Sequence, residues 1–64
     1  MKIFVEKQNK EIEQKFNGTA EELLASLGIN PETVLIVKNN ELITLDETIS
    51  DSDKIKILSV ISGG

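Results

Sequence analysis

Apolar and polar residues alternate along this chain with two different periods, and the change from one to the other marks out its elements. Met1, Ile3 and Val5 alternate with Lys2, Phe4 and Glu6, which predicts a strand beginning at the first residue with one buried face. Residues 7–10, Lys-Gln-Asn-Lys, are polar and include a turn former. A second alternating run follows, with Ile12 and Phe16 set against Glu11, Glu13 and Lys15. Gln14 falls on its apolar side, so this second strand of a hairpin is expected at a sheet edge, where Gln14 reaches water.

Asn17-Gly18 breaks the alternation, and the period then lengthens. Thr19 and Glu22 have the spacing of a capping box, in which hydroxyl and carboxylate satisfy the orphan amides of a helix start reciprocally. Ala20, Leu23, Leu24 and Leu27 form one apolar helix face, Gly28 provides the stop, and Asn30-Pro31 prevents continuation. Residues 34–37, Val-Leu-Ile-Val, are strong strand formers, but an unbroken apolar run leaves open whether Val34 and Ile36 or Leu35 and Val37 face the helix. Asn39-Asn40 suits a tight turn into a short return strand at Leu42-Ile43. Residues 46–53 read as an acidic, turn-rich loop anchored by Ile49 alone. From Lys54 the alternation resumes, with Ile55 and Ile57 against Lys54 and Lys56, and the strand runs out into Ser62, Gly63 and Gly64.

The order strand, strand, helix, strand, short strand, loop, strand predicts an α+β fold. In it a mixed sheet of four to five strands carries one helix on one face, because a single short helix can cover only one side. The other face should be polar, yet Phe4 is out of phase with Met1, Ile3 and Val5, and Leu58 and Val60 share the parity of Lys56. Apolar groups together on an open sheet face predict a docking surface made by Phe4, Leu58 and Val60.

Composition narrows the chemistry. Sixty-four residues make one small domain, residues 1–64, whose core contributes only ~3–5 kcal/mol of net stability. There is no Cys and no His, hence no thiolate, no cysteine metal site and no ordinary general base, so intrinsic catalysis is not expected. Eleven acidic against seven basic residues give a net charge of −4, without Arg, which repels phosphate backbones and argues against a nucleic-acid partner. No apolar run approaches the ~18 residues of a membrane span, and strand patterning begins at Met1, so a soluble cytoplasmic monomer without leader or anchor is expected. Asp46, Glu47, Asp51 and Asp53 lack the glycine and distal glutamate of a calcium loop, so no metal is expected there. They are read instead as a solvated turn that steers a basic partner. The terminal glycines form a thin peptide, about residues 61–64, that is expected to be flexible and can enter a channel closed to any Cβ.

The element order, the start Met1-Lys2-Ile3-Phe4-Val5, the turn from Lys38 through Ile43, the segment from Asp51 through Ile55 and the ending Val60-Ile61-Ser62-Gly63-Gly64 together resemble the ubiquitin-like β-grasp sulfur-carrier family. The thiamin-pathway carriers and the small subunit of molybdopterin synthase (ThiS and MoaD type) are its nearest branches in look. The resemblance spans the whole chain. It implies that the first and last strands lie parallel at the sheet centre, bringing Phe4 beside Leu58 and Val60. It further implies a cycle at Gly64: a partner adenylyltransferase similar to ubiquitin-activating enzymes uses ATP and Mg to make an acyl-adenylate. A sulfurtransferase then replaces AMP with sulfur, and the thiocarboxylate serves a sulfur-accepting synthase, thiamin thiazole formation being the first choice and molybdopterin or tRNA thiolation the alternatives. No cofactor is bound by the chain itself. Asn39-Asn40 stands where the family commonly has Asn-Gly, Ser52 where it commonly has Gly, and Ser62 where a small apolar residue often precedes the glycines. A ubiquitin-like modifier joined to lysines through Gly64 needs the same activation, and a plain binding module with incidental glycines is the third reading.

Overall fold

The computed structural model describes residues 1–60. Its strands are β1 (Lys2–Val5), β2 (Lys10–Glu13), β3 (Gly18–Thr19), β4 (Val34–Lys38), β5 (Glu41–Ile43), β6 (Thr48–Ile49) and β7 (Lys54–Ser59), with one α-helix, α1 (Ala20–Leu27), among the described residues. Five strands form the main sheet in the order β2-β1-β7-β4-β5, and β3 pairs with β6 in a small second sheet. β1 and β7 run parallel, with Ile3 opposite Ile55 and Val5 opposite Ile57, and the remaining pairings are antiparallel. The expected α+β β-grasp arrangement, a mixed sheet with one helix on one face, is the one the chain adopts. No helix among the described residues is long and apolar enough to cross a membrane.

The helix starts and stops where its residues dictate. Thr19 accepts from the Glu22 amide at 3.2 Å while its own amide donates to the Glu22 carboxylate at 2.9 Å, closing the capping box. Gly28 ends the helix at φ 73°, a left-handed conformation that costs glycine little, and its N–H reaches back to the last turn. A Cβ at Gly18 would lie 2.7 Å from Oε1 of Glu22 and 3.1 Å from the Phe16 ring, so a larger residue there would push on the carboxylate of the capping box. The turn between β4 and β5 places both Asn39 and Asn40 at positive φ, the geometry that matches strand twist in a two-residue hairpin loop and that Asn tolerates.

Ile3, Val5, Ala20, Leu23, Leu24, Ile36, Ile49, Ile55 and Ile57 form the buried core between sheet and helix. Ile36 resolves the phase of residues 34–37: Val34 and Ile36 face the helix, and Leu35 and Val37 face away. Two expectations are corrected. The second strand stops at Glu13, the Gln14 amide making one last bond to the Met1 carbonyl at the start of β1, and Phe16 packs on the core from the segment leading to β3. Residues 46–53 contain β6, whose Ile49 is fully buried and lies opposite Gly18, so Ile49 is held by backbone pairing as well as by packing.

Candidate functional site

The strand pairings determine what stands on the uncovered face of the main sheet. Residues directly opposite each other share a face, so the row through the middle reads Glu11, Phe4, Lys56, Val37, Leu42 from edge to edge. One step nearer the end of β7, Leu58 lies opposite Leu35. Phe4, Val37 and Leu58 are half-buried, while Leu35, Leu42 and Val60 are 44%, 61% and 47% exposed. The patch read from Phe4, Leu58 and Val60 is therefore wider than those three, extending across β4 and β5. Phe4 lies opposite Lys56 and only diagonally from Leu58, so the apolar surface is interrupted by an ammonium group. Leu35, Val37 and Leu42 were missing from the sequence reading because their face depends on the register with β7, which alternation within a four-residue apolar run does not reveal.

The same strand is held at its far end by two further bonds. The Ser59 amide donates to Oε1 of Glu6 at 3.3 Å from the β1 side, and the Val60 amide donates to the Thr33 carbonyl at 3.0 Å from the β4 side. The backbone is thus held on both flanks up to Val60. Ser62, Gly63 and Gly64, the predicted tail and site of chemistry, lie outside the described residues. Beside the end of β7, on the helix side, a groove of about 620 Å³ has a mixed lining that includes Val5, Val34 and Ile57 together with Lys7, Gln8 and Asn30.

The acidic loop is engaged locally. Asp53 accepts from the Ser50 amide at 2.9 Å and from Nδ2 of Asn39 at 2.9 Å, and both bonds hold its carboxyl below the ordinary carboxylate value, the Ser50 amide contributing most. Asn39 in turn accepts from the Lys54 amide at 3.0 Å. These bonds clip the β4–β5 turn to the start of β7. Asp46 is lowered first by the Thr44 hydroxyl and Glu47 pairs with Lys38 at 3.1 Å, so these acids organise turns and edges. No cluster of three or more metal-ligating side chains occurs among the described residues. An open, partly apolar sheet face next to a central strand clipped at both ends is an arrangement that can dock another protein.

Comparison with known proteins places the chain in a family. The model of the ThiS family matches residues 2–64. The chain is 46% identical over 57 residues to the sulfur carrier protein TtuB of Thermus thermophilus, an alignment covering 89% of this chain and 88% of that one. It is 45% identical over 62 residues to an uncharacterized protein of Archaeoglobus fulgidus, covering 95% and 91% respectively. Among solved structures, that of the thiamine biosynthesis protein ThiS from Geobacter metallireducens superposes with a TM-score of 0.66 at 25% identity, covering 100% of both chains.

Proposed function

The chain belongs to the ThiS family of ubiquitin-like sulfur carriers, and from that premise we propose that its Gly64 carboxylate is adenylated by a partner enzyme and converted to a thiocarboxylate that donates sulfur in cofactor biosynthesis. The observation that carries this reading is the family match running through residue 64 of a chain whose last described strand is clamped on both flanks next to an open apolar face. A carboxylate is a poor electrophile. Its attack on the α-phosphorus of Mg-ATP expels pyrophosphate and leaves an acyl-adenylate, whose AMP is a good leaving group. A sulfurtransferase persulfide attacks the acyl carbon and expels AMP, giving an acyl disulfide; a second thiolate of the partner then attacks the sulfurtransferase sulfur, breaking the sulfur–sulfur bond, so that the thiocarboxylate leaves on Gly64 and the two partner sulfurs are joined as a disulfide. The carrier contributes recognition and position, and the partners contribute the catalytic groups and the bound nucleotide. Phe4, Leu58 and Val60, with Leu35, Val37 and Leu42, form the docking face for the activating enzyme, and Ser62 and Gly63 thread into its channel.

Thiamin thiazole formation is the proposed destination of the sulfur, a reading supported by the thiamine biosynthesis protein among its structural neighbours. The test is intact-mass measurement of the chain after incubation with the adenylyltransferase, Mg-ATP and a persulfide donor. A gain equal to the exchange of one oxygen for sulfur, absent when Gly64 is deleted, is expected, and an unaltered mass overturns the proposal. Offering the charged chain to a thiazole synthase, a molybdopterin synthase large subunit and a tRNA-thiolating enzyme then identifies the acceptor. Lysine conjugates in place of the sulfur exchange would establish the modifier reading.

A further inference from the structure

The apolar face has a charge at its centre, and that charge says something about what can cover it. Lys56 occupies the middle strand of the sheet, with Phe4 opposite on β1, Val37 opposite on β4 and Leu58 two residues along its own strand. Among the described residues the ion pairs are Met1 with Asp51 and Lys38 with Glu47, and the Lys56 ammonium makes neither an ion pair nor a hydrogen bond. The nearest acid in its row is Glu11, two strands away with the Phe4 ring between, a lateral distance of about 10 Å at normal strand spacing. In the adjacent row Lys54 stands opposite Lys2 and Lys2 opposite Glu13, so in these two rows the lysines lie on β1 and β7 and the acids, Glu11 and Glu13, on the edge strand β2.

Interface centres are depleted of charge, and covering an ammonium without a partner carries a heavy desolvation penalty. We propose that Lys56 selects the occupant of this face: a protein whose apolar contact surface carries a carboxylate at its centre, placed to receive the Lys56 ammonium between Phe4 and Val37. A second copy of this chain is a poor occupant by the same rule, since the acids of these rows, Glu11 and Glu13, stand on the edge strand β2 and no carboxylate stands beside Lys56 at the middle of its row. This inference rests on the reading of the face as the docking surface for the activating enzyme, and it adds the chemistry that the enzyme must present.

The test is pyrophosphate exchange by the adenylyltransferase, with KM measured for the wild-type carrier and for Lys56→Met, Lys56→Arg and Lys56→Glu, each checked for an unchanged thermal midpoint. A carboxylate left unpaired by Lys56→Met should raise KM about 30-fold or more with kcat unchanged, while Lys56→Arg stays near wild type and Lys56→Glu is worse than Lys56→Met. An equal or lower KM for Lys56→Met overturns the inference, because removing an unneeded charge from an apolar contact is neutral or favourable. Absence of carrier-dependent exchange with the wild-type chain overturns the adenylation reading itself, and this inference with it. Sedimentation showing a wild-type dimer that Lys56→Met strengthens would give the face to a second copy instead.

Discussion

Two faces of one strand carry the two demands made on this molecule. β7 turns Ile55 and Ile57 inward, where each is at most 2% exposed beneath the helix, and Lys56 and Leu58 outward, where Lys56 is exposed and Leu58 half-buried. The inner residues are explained by folding alone: each removes apolar surface from water against Ile3, Val5, Ile36, Leu23 and Leu24. Folding gives no reason for an apolar row on the outer face, since a polar residue at Leu58 or Val37 would leave the core untouched. What the contrast teaches is that a small domain can be read twice, once for what it buries and once for what it leaves exposed against the trend.

The sharpest way to break this division is to cut into each side of β7 in turn. On the inner side, Ile55→Ala removes buried methyl groups from a packed site and should cost about 2–5 kcal/mol. That is comparable with the ~3–5 kcal/mol a core of this size supplies in total. The variant is expected to be largely unfolded, with loss of the cooperative urea transition followed by circular dichroism, and an unchanged midpoint would show that the core is not where the stability lies. On the outer side, Leu58→Asp should leave the thermal midpoint within the range of a surface substitution while reducing affinity for the activating enzyme about tenfold or more in titration calorimetry. Full affinity would remove Leu58 from the docking face.

How much of this was legible in the sequence follows from the length and uniformity of each signal. The capping box at Thr19 and Glu22, the Gly28 stop and the alternation of β1 and β7 are long or chemically distinctive patterns, and each element appears where its pattern places it. The β3–β6 pair was not legible, because two-residue strands have no period and their pairing is fixed by where the chain returns in space. The phase of β4 was hidden by four apolar residues in succession, and with it the membership of Leu35 and Val37 in the outer row. The mid-row position of Lys56 belongs to register, which a single sequence does not carry. Gly63 and Gly64 stand out by composition alone.

The clip at the end of the β4–β5 turn belongs to neither face, and it gives the smallest and most selective test. Asp53 accepts from the Ser50 amide on one carboxyl oxygen and from the Asn39 side chain on the other, a pair of bonds strongest to the carboxylate, so folding lowers its pKa below the ordinary 3.8. For a depressed carboxylate the stabilisation is present above the unfolded pKa and is lost as pH falls through the folded one. The contribution is therefore complete at neutral pH and fades from about pH 4 downward. Asp53→Asn should lower the urea midpoint modestly at pH 7. As the pH drops below 4 the gap to wild type should narrow, because both chains then carry an uncharged group at that position. Since the clip holds the β4–β5 turn against the first residue of β7, at the opposite end of the strand from Ser59, the same substitution should leave the affinity of the outer face unchanged at pH 7. A stability gap that persists undiminished at pH 3 would mean that the Asn39 and Ser50 bonds do not favour the charged form, and a parallel loss of affinity would mean that the two ends of β7 are coupled.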